Sequence, residues 1–241
     1  MENINFGVKV LYEDNHILMT YKPAGILSQE DATGAPDMLT ILKEYLKNKY
    51  HKPGNVYLGL VHRLDRPVAG LMLIAKTTKA ASRISEQIRN RTVEKYYRAC
   101  LNGAIQPEKG TLKGIIIKDS SVNRARLTDN LSEKDAKEAE LDYRMLSCKD
   151  SISLVEIHLK TGRTHQIRLQ LSEAGFPIIG DRKYGEDRPG PGDICLESYK
   201  MAFDHPTSKE RLTFELPLGD HWPWRLFAEE RADSDQGGYY E

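Results

Sequence analysis

The chain has 241 residues, of which 39% are hydrophobic and 29% are charged, and its 35 Lys and Arg residues balance 35 Asp and Glu residues. This composition predicts a globular protein and excludes a disordered or membrane chain. No window holds the roughly 20 apolar residues that cross a bilayer, and the N-terminus lacks the basic and apolar regions of a secretory signal. The three cysteines are far apart in sequence, which favours reduced thiols. We therefore expect a cytoplasmic protein without membrane contact.

The first elements predicted are a β-hairpin, a loop and a helix. Two β-branched and aromatic runs at 8–12 and 16–21 predict the hairpin. The segment Lys22-Pro23-Ala24-Gly25 then predicts a loop. Asp37 is the predicted N-cap of a helix whose apolar side carries Leu39, Leu42, Tyr45 and Leu46. Apolar runs at 57–61 and 70–76 predict two strands that flank a polar segment.

The rest of the chain predicts more strands than helices. A helix after Thr78 has an apolar stripe and a basic strip, the latter at Lys79, Arg83, Gln87 and Arg91. Strand-like runs follow at 96–101, 112–118, 138–146, 151–160 and 211–218. Thr164 is the predicted N-cap of a further helix that ends at Gly175, and a Gly- and Pro-rich loop lies near 185–192. The pattern predicts an α+β fold on a mostly antiparallel sheet.

Charge is distributed unevenly along the chain. Between His62 and Arg98, nine Lys and Arg residues stand against three Asp and Glu residues. Between Glu229 and Glu241, five acidic residues stand against one basic residue. The basic segment is either a solvated face or a surface that contacts phosphates, and the neutral total charge argues against general binding of polyanions.

The segment His62-Arg63-Leu64-Asp65-Arg66 is the first candidate for chemistry. Neighbouring positive charge favours the ionised form of Asp65. An ionised carboxylate in a cleft can act as a nucleophile or as a base. The alternative is a surface cluster of ion pairs at the end of a strand, and charge spacing alone favours that alternative slightly.

Two further clusters carry polar groups that suit RNA. The segment 161–168 places Arg163, His165 and Arg168 around a helix start, where backbone N–H groups favour anions. His165 and Arg168 are three residues apart and should share a helix face. The segment Lys95-Tyr96-Tyr97 suits base stacking. The alternatives are an ordinary amphipathic helix and a half-buried tyrosine pair. No histidine spacing suits a metal and no glycine motif suits a nucleotide cofactor.

Five segments, taken in order, are similar to those of one enzyme family. They are the loop KPAG, followed by VHRLDRPVAGLMLIAKT, EKYYRACLNG, LKTGRTHQIRLQL and GFPIIGDRKYG. The chain resembles the RluA-type (RluA/RsuA) RNA pseudouridine synthases over roughly residues 8–218. The resemblance implies a long curved, mainly antiparallel sheet with flanking helices and a central catalytic cleft. It also implies neither metal nor cofactor. As substrate it implies a uridine in structured rRNA or tRNA.

The resemblance also assigns roles to residues. Asp65 matches the catalytic aspartate, Arg168 the arginine paired with it, and Tyr97 the tyrosine that packs on the uracil. Arg63 matches the arginine that enters the RNA helix in place of the flipped base. Further substrate-binding residues are expected around these four: His62, Arg66, Pro23, Arg163, His165 and Ile167. Attack at C1′ and proton abstraction at C2′ both fit Asp65.

Several expectations complete the hypothesis. A catalytic domain is expected over residues 1–225 and an acidic tail over 226–241, without an S4 RNA-binding domain, in a monomer. The chain departs from the family pattern at Val68-Ala69, Gln170 and Glu197-Ser198, which affects substrate contacts more than catalysis. A non-catalytic RNA-binding module on the same fold is the main alternative, and an aspartate-based nucleosidase is a further one.

Overall fold

The computed structural model describes residues 2–119, 121–185 and 193–228. The acidic segment from Glu229 onward and most of the predicted loop at 185–192 lie outside the described residues. The strands are β1 (Glu2–Asn3), β2 (Lys9–Glu13), β3 (Ile17–Lys22), β4 (Gly59–Leu60), β5 (Ala69–Ala75), β6 (Glu94–Asn102), β7 (Lys109–Asp119), β8 (Arg124–Thr128), β9 (Lys137–Lys149), β10 (Ile152–Leu159), β11 (Leu196–Asp204) and β12 (Arg211–Glu215). The α-helices are α1 (Met38–Lys49), α2 (Thr78–Arg89) and α3 (Gln166–Glu173).

The described residues form two compact units. The first comprises residues of Met1–Lys95 and Glu197–Leu216, and the second comprises residues of Tyr96–Leu196 and those from Pro217 onward. A 3-10 helix at Trp224–Phe227, with Trp224 and Phe227 buried, runs past residue 225. The division into a domain at 1–225 and a tail at 226–241 stays a prediction.

The first unit is built around β5. The strands β2 and β3 form the predicted hairpin, and β3 pairs antiparallel with β5. On its other side β5 meets β4 near one end and β11, in parallel, near the other end. Gly70 has a φ of +127°, and a Cβ there would lie 2.3 Å from the carbonyl oxygen of Ser198. The close approach of β5 and β11 therefore requires glycine at this position.

Helix α1 begins as predicted. The Asp37 side chain accepts a hydrogen bond from the Thr40 N–H at 3.1 Å. The helix buries an apolar face in the core of the first unit, which includes Val8, Val10, Leu18, Met38, Ile41, Leu42, Tyr45, Leu46, Leu58, Met72 and Ile74. The apolar periodicity of the sequence thus identified the face of this helix that packs against the sheet.

The second unit has the strand order β6-β10-β9-β7-β8, and all four pairings are antiparallel. Leu169 of α3 lies in a buried cluster with Ile116, Ala125, Ala139 and Tyr184. The N–H of Ala125, in β8, donates to the Tyr184 hydroxyl at 2.6 Å. β8 is the last strand in this order, so its outer backbone groups have no further strand to pair with. The Tyr184 hydroxyl provides a hydrogen-bond partner for one of them, the N–H of Ala125.

The predicted α+β class with a mainly antiparallel sheet is confirmed, but several elements differ. The strands β8 and β11 were not predicted, because β8 is short and polar residues interrupt the apolar run of β11. The run at 57–61 forms only the two residues of β4. The helix predicted after Thr78 has Thr77 as its N-cap. Among the described residues no helix is long and apolar enough to cross a membrane.

Candidate active site

The turn that carries Asp65 is held by the loop after β3. The Ser28 hydroxyl donates to the Leu64 carbonyl at 2.7 Å and accepts from the Leu64 N–H at 3.1 Å. The Gly25 N–H donates to the Arg66 carbonyl at 2.8 Å, and Arg66 Nε donates to the Gly25 carbonyl at 3.0 Å. Gly25 adopts a φ of +85°, which favours glycine. The backbone is therefore fixed on both sides of Asp65.

Lys22 is a buried cation at the base of the same loop. Its Nζ donates to the carbonyl oxygens of Ile26 at 2.7 Å, Pro23 at 3.0 Å and Arg66 at 3.1 Å. Burial lowers the pKa of Lys22 to about 7; the negative charge of Asp65 opposes this shift and the positive charge of Arg66 adds to it. Sequence reasoning assigned this lysine only to a loop, since nothing local in the sequence indicates that its side chain is buried.

His62 is joined to β5 by its ring. Nε2 accepts from the Leu73 N–H at 2.9 Å, so the neutral ring carries its proton on Nδ1. Desolvation, and to a smaller extent the charge of Lys95, lowers the pKa of His62 to about 3. His62 therefore contributes no positive charge beside Asp65, and its Nε2 is already used within the protein.

The remaining predicted residues of this turn keep contact with solvent. Asp65 is half-buried, and its carbonyl accepts from the Val68 N–H at 3.0 Å. Arg63 is exposed and makes no hydrogen bond or ion pair with another described residue. Pro23 is half-buried. The first unit thus brings together Pro23, His62, Arg63, Asp65 and Arg66.

Tyr97 lies in the second unit, on β6. It pairs with Ile157 of β10 and is 6% exposed. Its neighbour Tyr96 stacks on His158 with ring centroids 4.4 Å apart. Because successive strand residues point to opposite faces, the two tyrosines lie on different sides of the sheet. The role of Tyr97 toward uracil stays a prediction.

Arg168 is held by a buried carboxylate that the sequence analysis did not single out. Its Nε and Nη2 donate to Asp181 Oδ2 and Oδ1 at 2.8 and 2.7 Å. Asp181 Oδ1 also accepts from the N–H groups of Lys183 at 2.9 Å and Tyr184 at 3.1 Å. Burial alone would raise the pKa of Asp181, but the hydrogen bonds and charge of Arg168 outweigh it and the pKa is lowered. We call this pair the Arg168–Asp181 clamp. The pairing of Arg168 with Asp65 stays a prediction.

Tyr184 contacts two of the predicted residues. His165 Nδ1 lies 2.9 Å from the Tyr184 hydroxyl. The Arg168 guanidinium lies 5.4 Å from the centroid of the same ring. Both residues contact Tyr184, but His165 precedes α3 with a φ of 53°, so the predicted shared helix face was not found. The motif GDRKYG supplies Asp181, which binds Arg168, and Tyr184, which contacts both residues.

The start of α3 differs from the prediction. His165, with a φ of 53°, takes the N-cap position without a side-chain cap, so the prediction that Thr164 caps this helix was wrong. Instead Gln166 Oε1 accepts from the Thr161 hydroxyl at 2.8 Å and from the Arg163 N–H at 3.1 Å. The Arg163 side chain donates through Nε to the Glu138 carbonyl at 2.7 Å, and Ile167 is buried.

Three of the positions that depart from the family pattern are packing positions. Val68 is 3% exposed, Gln170 is 3% exposed and Ser198 is 0% exposed. Gln170 Nε2 donates to the Leu112 carbonyl at 3.1 Å, which joins α3 to β7. These substitutions therefore change how elements pack.

The basic segment 62–98 is partly used inside the protein. Arg98 is 1% exposed, donates to the Pro217 carbonyl and lies 5.6 Å from the Trp224 ring centroid. Lys76 Nζ lies 2.7 Å from Glu13 Oε1. Arg83 Nη1 donates to the Pro206 carbonyl at 2.7 Å. These cations are held within the protein and are neither a solvated face nor a surface for phosphates, whereas Arg63, Lys79, Arg89 and Arg91 are exposed.

Within the described ranges, His, Cys, Asp and Glu side chains form no group of three or more that could hold a metal ion. The groups predicted to be catalytic are the carboxylate of Asp65, the phenol of Tyr97 and the guanidinium of Arg168, and their roles stay predictions. These are groups for acid–base, nucleophilic and electrostatic catalysis.

Residues 16–173 match the model of the RNA pseudouridylate synthase family, and the chain belongs to that family. It is 33% identical over 239 residues to "Ribosomal large subunit pseudouridine synthase D" of Neisseria meningitidis serogroup A, which covers 91% of this chain and 62% of the relative. It is 33% identical over 215 residues to "Uncharacterized RNA pseudouridine synthase YlyB" of Bacillus subtilis, covering 87% and 68%. The chain thus spans less than two thirds of the length of the Neisseria relative.

Solved structures agree on the fold. "Human RNA Pseudouridylate Synthase Domain Containing 4" matches with a TM-score of 0.74 and 22% identity, over 92% of each chain. "Human RNA Pseudouridylate Synthase Domain Containing 1" matches with a TM-score of 0.69 and 23% identity, over 97% of this chain and 96% of the other. The resemblance found in the sequence motifs is therefore confirmed for family and fold.

Proposed function

We propose that this protein isomerises uridine to pseudouridine in RNA, with Asp65 as the catalytic carboxylate. The N1–C1′ bond breaks, the freed uracil turns, and a C5–C1′ bond forms. C5 loses a proton and N1 gains one, so the product is an isomer of the substrate. The observation that carries the proposal is the position of Asp65, half-buried on a turn fixed at Leu64 and Arg66, in a chain of this family.

Asp65 acts in its ionised form. Attack on C1′ and removal of the C2′ proton both require a carboxylate, as do related cleavages of glycosidic bonds. The guanidinium of Arg168 stabilises and orients this carboxylate by a charge-assisted hydrogen bond. The Arg168–Asp181 clamp holds the guanidinium in a fixed position for that task.

Arg63 and Tyr97 act on the target base while it is outside the RNA helix. A stacked uridine must leave the RNA helix, at a cost of a few kcal/mol. The exposed Arg63 fills the space that the base vacates. Tyr97 holds the detached uracil against its ring, so that the base turns without leaving. His62, Arg66, Pro23, Arg163, His165 and Ile167 shape the surfaces around these groups.

The RNA substrate proposed first is ribosomal RNA of the large subunit. The relatives named "Ribosomal large subunit pseudouridine synthase D" support this choice, and transfer RNA is the second substrate to test. We propose that the protein acts in the cytoplasm as a monomer, because one chain supplies Asp65, Tyr97 and Arg168.

The experiment compares wild-type protein with Asp65→Asn and Asp65→Ala on total rRNA and tRNA from a strain lacking this gene. Pseudouridine is mapped by chemical labelling and mass spectrometry. Removing the carboxylate should lower the rate by about 10³-fold or more while RNA binding persists. Asp129→Asn, which changes an exposed aspartate, is the matched control and should keep full activity. Wild-type rates in both Asp65 variants would overturn the assignment.

A further inference from the structure

His62 lies where the pairing of β4 with β5 ends. The last pair of this short ladder is Leu60 with Ile74. The next residue of β5 in that direction is Leu73, and its N–H donates to His62 Nε2 at 2.9 Å. A side-chain ring therefore satisfies a backbone donor of β5 at the point where the chain leaves the sheet and begins the turn.

Ser28 holds the same turn from the loop before α1. Its hydroxyl donates to the Leu64 carbonyl at 2.7 Å and accepts from the Leu64 N–H at 3.1 Å. The loop is itself fixed, because Leu27 donates to the Pro36 carbonyl at 3.1 Å and accepts from the Met38 N–H at 2.8 Å. One buried hydroxyl thus joins both backbone groups of Leu64 to a loop that is tied to the start of a helix.

Both attachments lie directly before Asp65. His62 precedes it by three residues and Leu64 by one. The segment is therefore held against two separate parts of the first unit, β5 on one side and the loop at Ser28 on the other. Because the backbone of a residue sets the direction of its Cα–Cβ bond, these hydrogen bonds determine where the carboxylate of Asp65 can lie.

The state of the His62 ring suits this task better than contact with RNA. Desolvation lowers the pKa of His62 to about 3, so the ring is neutral near pH 7 and Nε2 stays available as an acceptor. A neutral ring lacks the positive charge that makes hydrogen bonds to phosphate strong.

We propose that His62 and Ser28 are positioning residues, which hold the turn so that the Asp65 carboxylate meets the target sugar in the reactive geometry. The inference deepens the proposed function and rests on it. A displacement of a catalytic group by about 1 Å can lower a rate on the order of 10²-fold. Losing one attachment leaves the others in place, so the geometry of the turn should suffer more than its folding.

The test separates kcat from KM in variants of His62. The substrate is an RNA fragment that spans a uridine modified by wild-type protein, and rates are given per folded molecule. His62→Leu removes the acceptor and should lower kcat by about 10- to 100-fold, with KM and the dissociation constant of the RNA within about twofold of wild type. His62→Gln keeps a side-chain carbonyl that can accept from the Leu73 N–H, and should recover most of the lost kcat.

Ser28→Ala tests the second attachment and does not depend on His62→Leu folding well. It should lower kcat by about tenfold at unchanged KM. In the double variant His62→Leu/Ser28→Ala the loss should be smaller than the product of the two single losses, because both side chains hold one turn. The control is His221→Leu, which changes a histidine whose side chain is 72% exposed and should keep full kcat.

The outcomes distinguish this inference from the proposed function. Wild-type kcat in folded His62→Leu and Ser28→Ala, with activity still lost in Asp65→Asn, would overturn the positioning roles alone. A raised KM at unchanged kcat would show that His62 contacts the RNA, and would overturn its positioning role. Wild-type protein that forms no pseudouridine in rRNA or tRNA would overturn the proposed function, and this inference with it.

Discussion

The turn that carries Asp65 and the clamp that holds Arg168 fix their charged groups in different ways. Around Asp65, hydrogen bonds of Ser28, Gly25 and Lys22 reach backbone groups of Leu64 and Arg66. Arg168 instead donates two charge-assisted hydrogen bonds to the buried carboxylate of Asp181. A net contribution of about 1 kcal/mol per hydrogen bond makes the first arrangement tolerant of single losses. In the second arrangement, losing the Asp181 side chain removes two such bonds at once.

Burial separates the two regions further. Asp65 is half-buried, whereas the side chains of Arg168 and Asp181 are 6% and 1% exposed. Water can solvate a group in the first region when a partner is lost. In the second region a lost partner leaves a charge in a dry site, and that is strongly unfavourable. A carboxylate that attacks C1′ or removes the C2′ proton must reach the substrate, so a half-buried position suits the role proposed for Asp65. A buried position suits a residue that orients it.

The largest expected effect comes from breaking the clamp. Asp181→Ala removes two charge-assisted hydrogen bonds and the counter-charge of Asp181 from the buried guanidinium of Arg168, and should lower the free energy of unfolding by about 3–5 kcal/mol. Urea unfolding followed by circular dichroism measures it. Glu133→Gln, which breaks the exposed Arg126–Glu133 pair, is the matched control and should cost less than about 1 kcal/mol. Similar losses in both variants would show that the clamp is no more than a surface pair.

Through Lys22, the free energy of unfolding should depend on pH above about pH 7. Its pKa falls from 10.5 to about 7 on folding, so between these values the unfolded chain binds a proton that the folded chain does not. Stability from this group therefore rises with pH, by up to about 1.4 kcal/mol per unit. The free energy of unfolding of wild-type protein should rise relative to Lys22→Met between pH 7 and pH 9.

Measurements of the same two proteins between pH 5 and pH 6 provide the control for Lys22. There the lysine is charged in both the folded and unfolded chain, so the two stability curves should run parallel. Parallel curves from pH 5 to pH 9 would contradict the lowered pKa of Lys22.

Through His62, which lies beside Asp65 in the same turn, the free energy of unfolding should also depend on pH in the acidic range. Its pKa falls from 6.5 to about 3 on folding, so the unfolded chain binds more protons between these values. Stability is full above pH 6.5 and is lost as the pH falls toward 3, by at most about 1.4 kcal/mol per unit. Wild-type protein should lose stability more steeply than His62→Gln between pH 7 and pH 5. Identical slopes would mean that the ring is not the neutral acceptor of the Leu73 N–H.

The sequence predicted features that depend on neighbouring residues, and it missed contacts between side chains that are far apart in the chain. The charged neighbours of Asp65 are adjacent in the chain, and the faces of α1 follow from periodicity. Asp181 lies 13 residues after Arg168 on an irregular loop, so no spacing rule joins them. Arg98 was counted in the basic segment, expected at the surface, but it is buried against Trp224, which lies far along the chain. The side-chain burial of Lys22 likewise depends on tertiary contacts.

The smallest expected effects compare one helix start in each unit. Asp37 caps α1 through its side chain, so Asp37→Ala should cost about 1 kcal/mol of stability. Thr164, the predicted cap of α3, makes no capping hydrogen bond because His165 occupies the N-cap position, so Thr164→Ala should cost less than about 0.5 kcal/mol. Urea midpoints measure both. Equal costs would show that Thr164 caps the helix in solution, which would move the start of α3 and, with it, the positions of His165 and Arg168 relative to Tyr184.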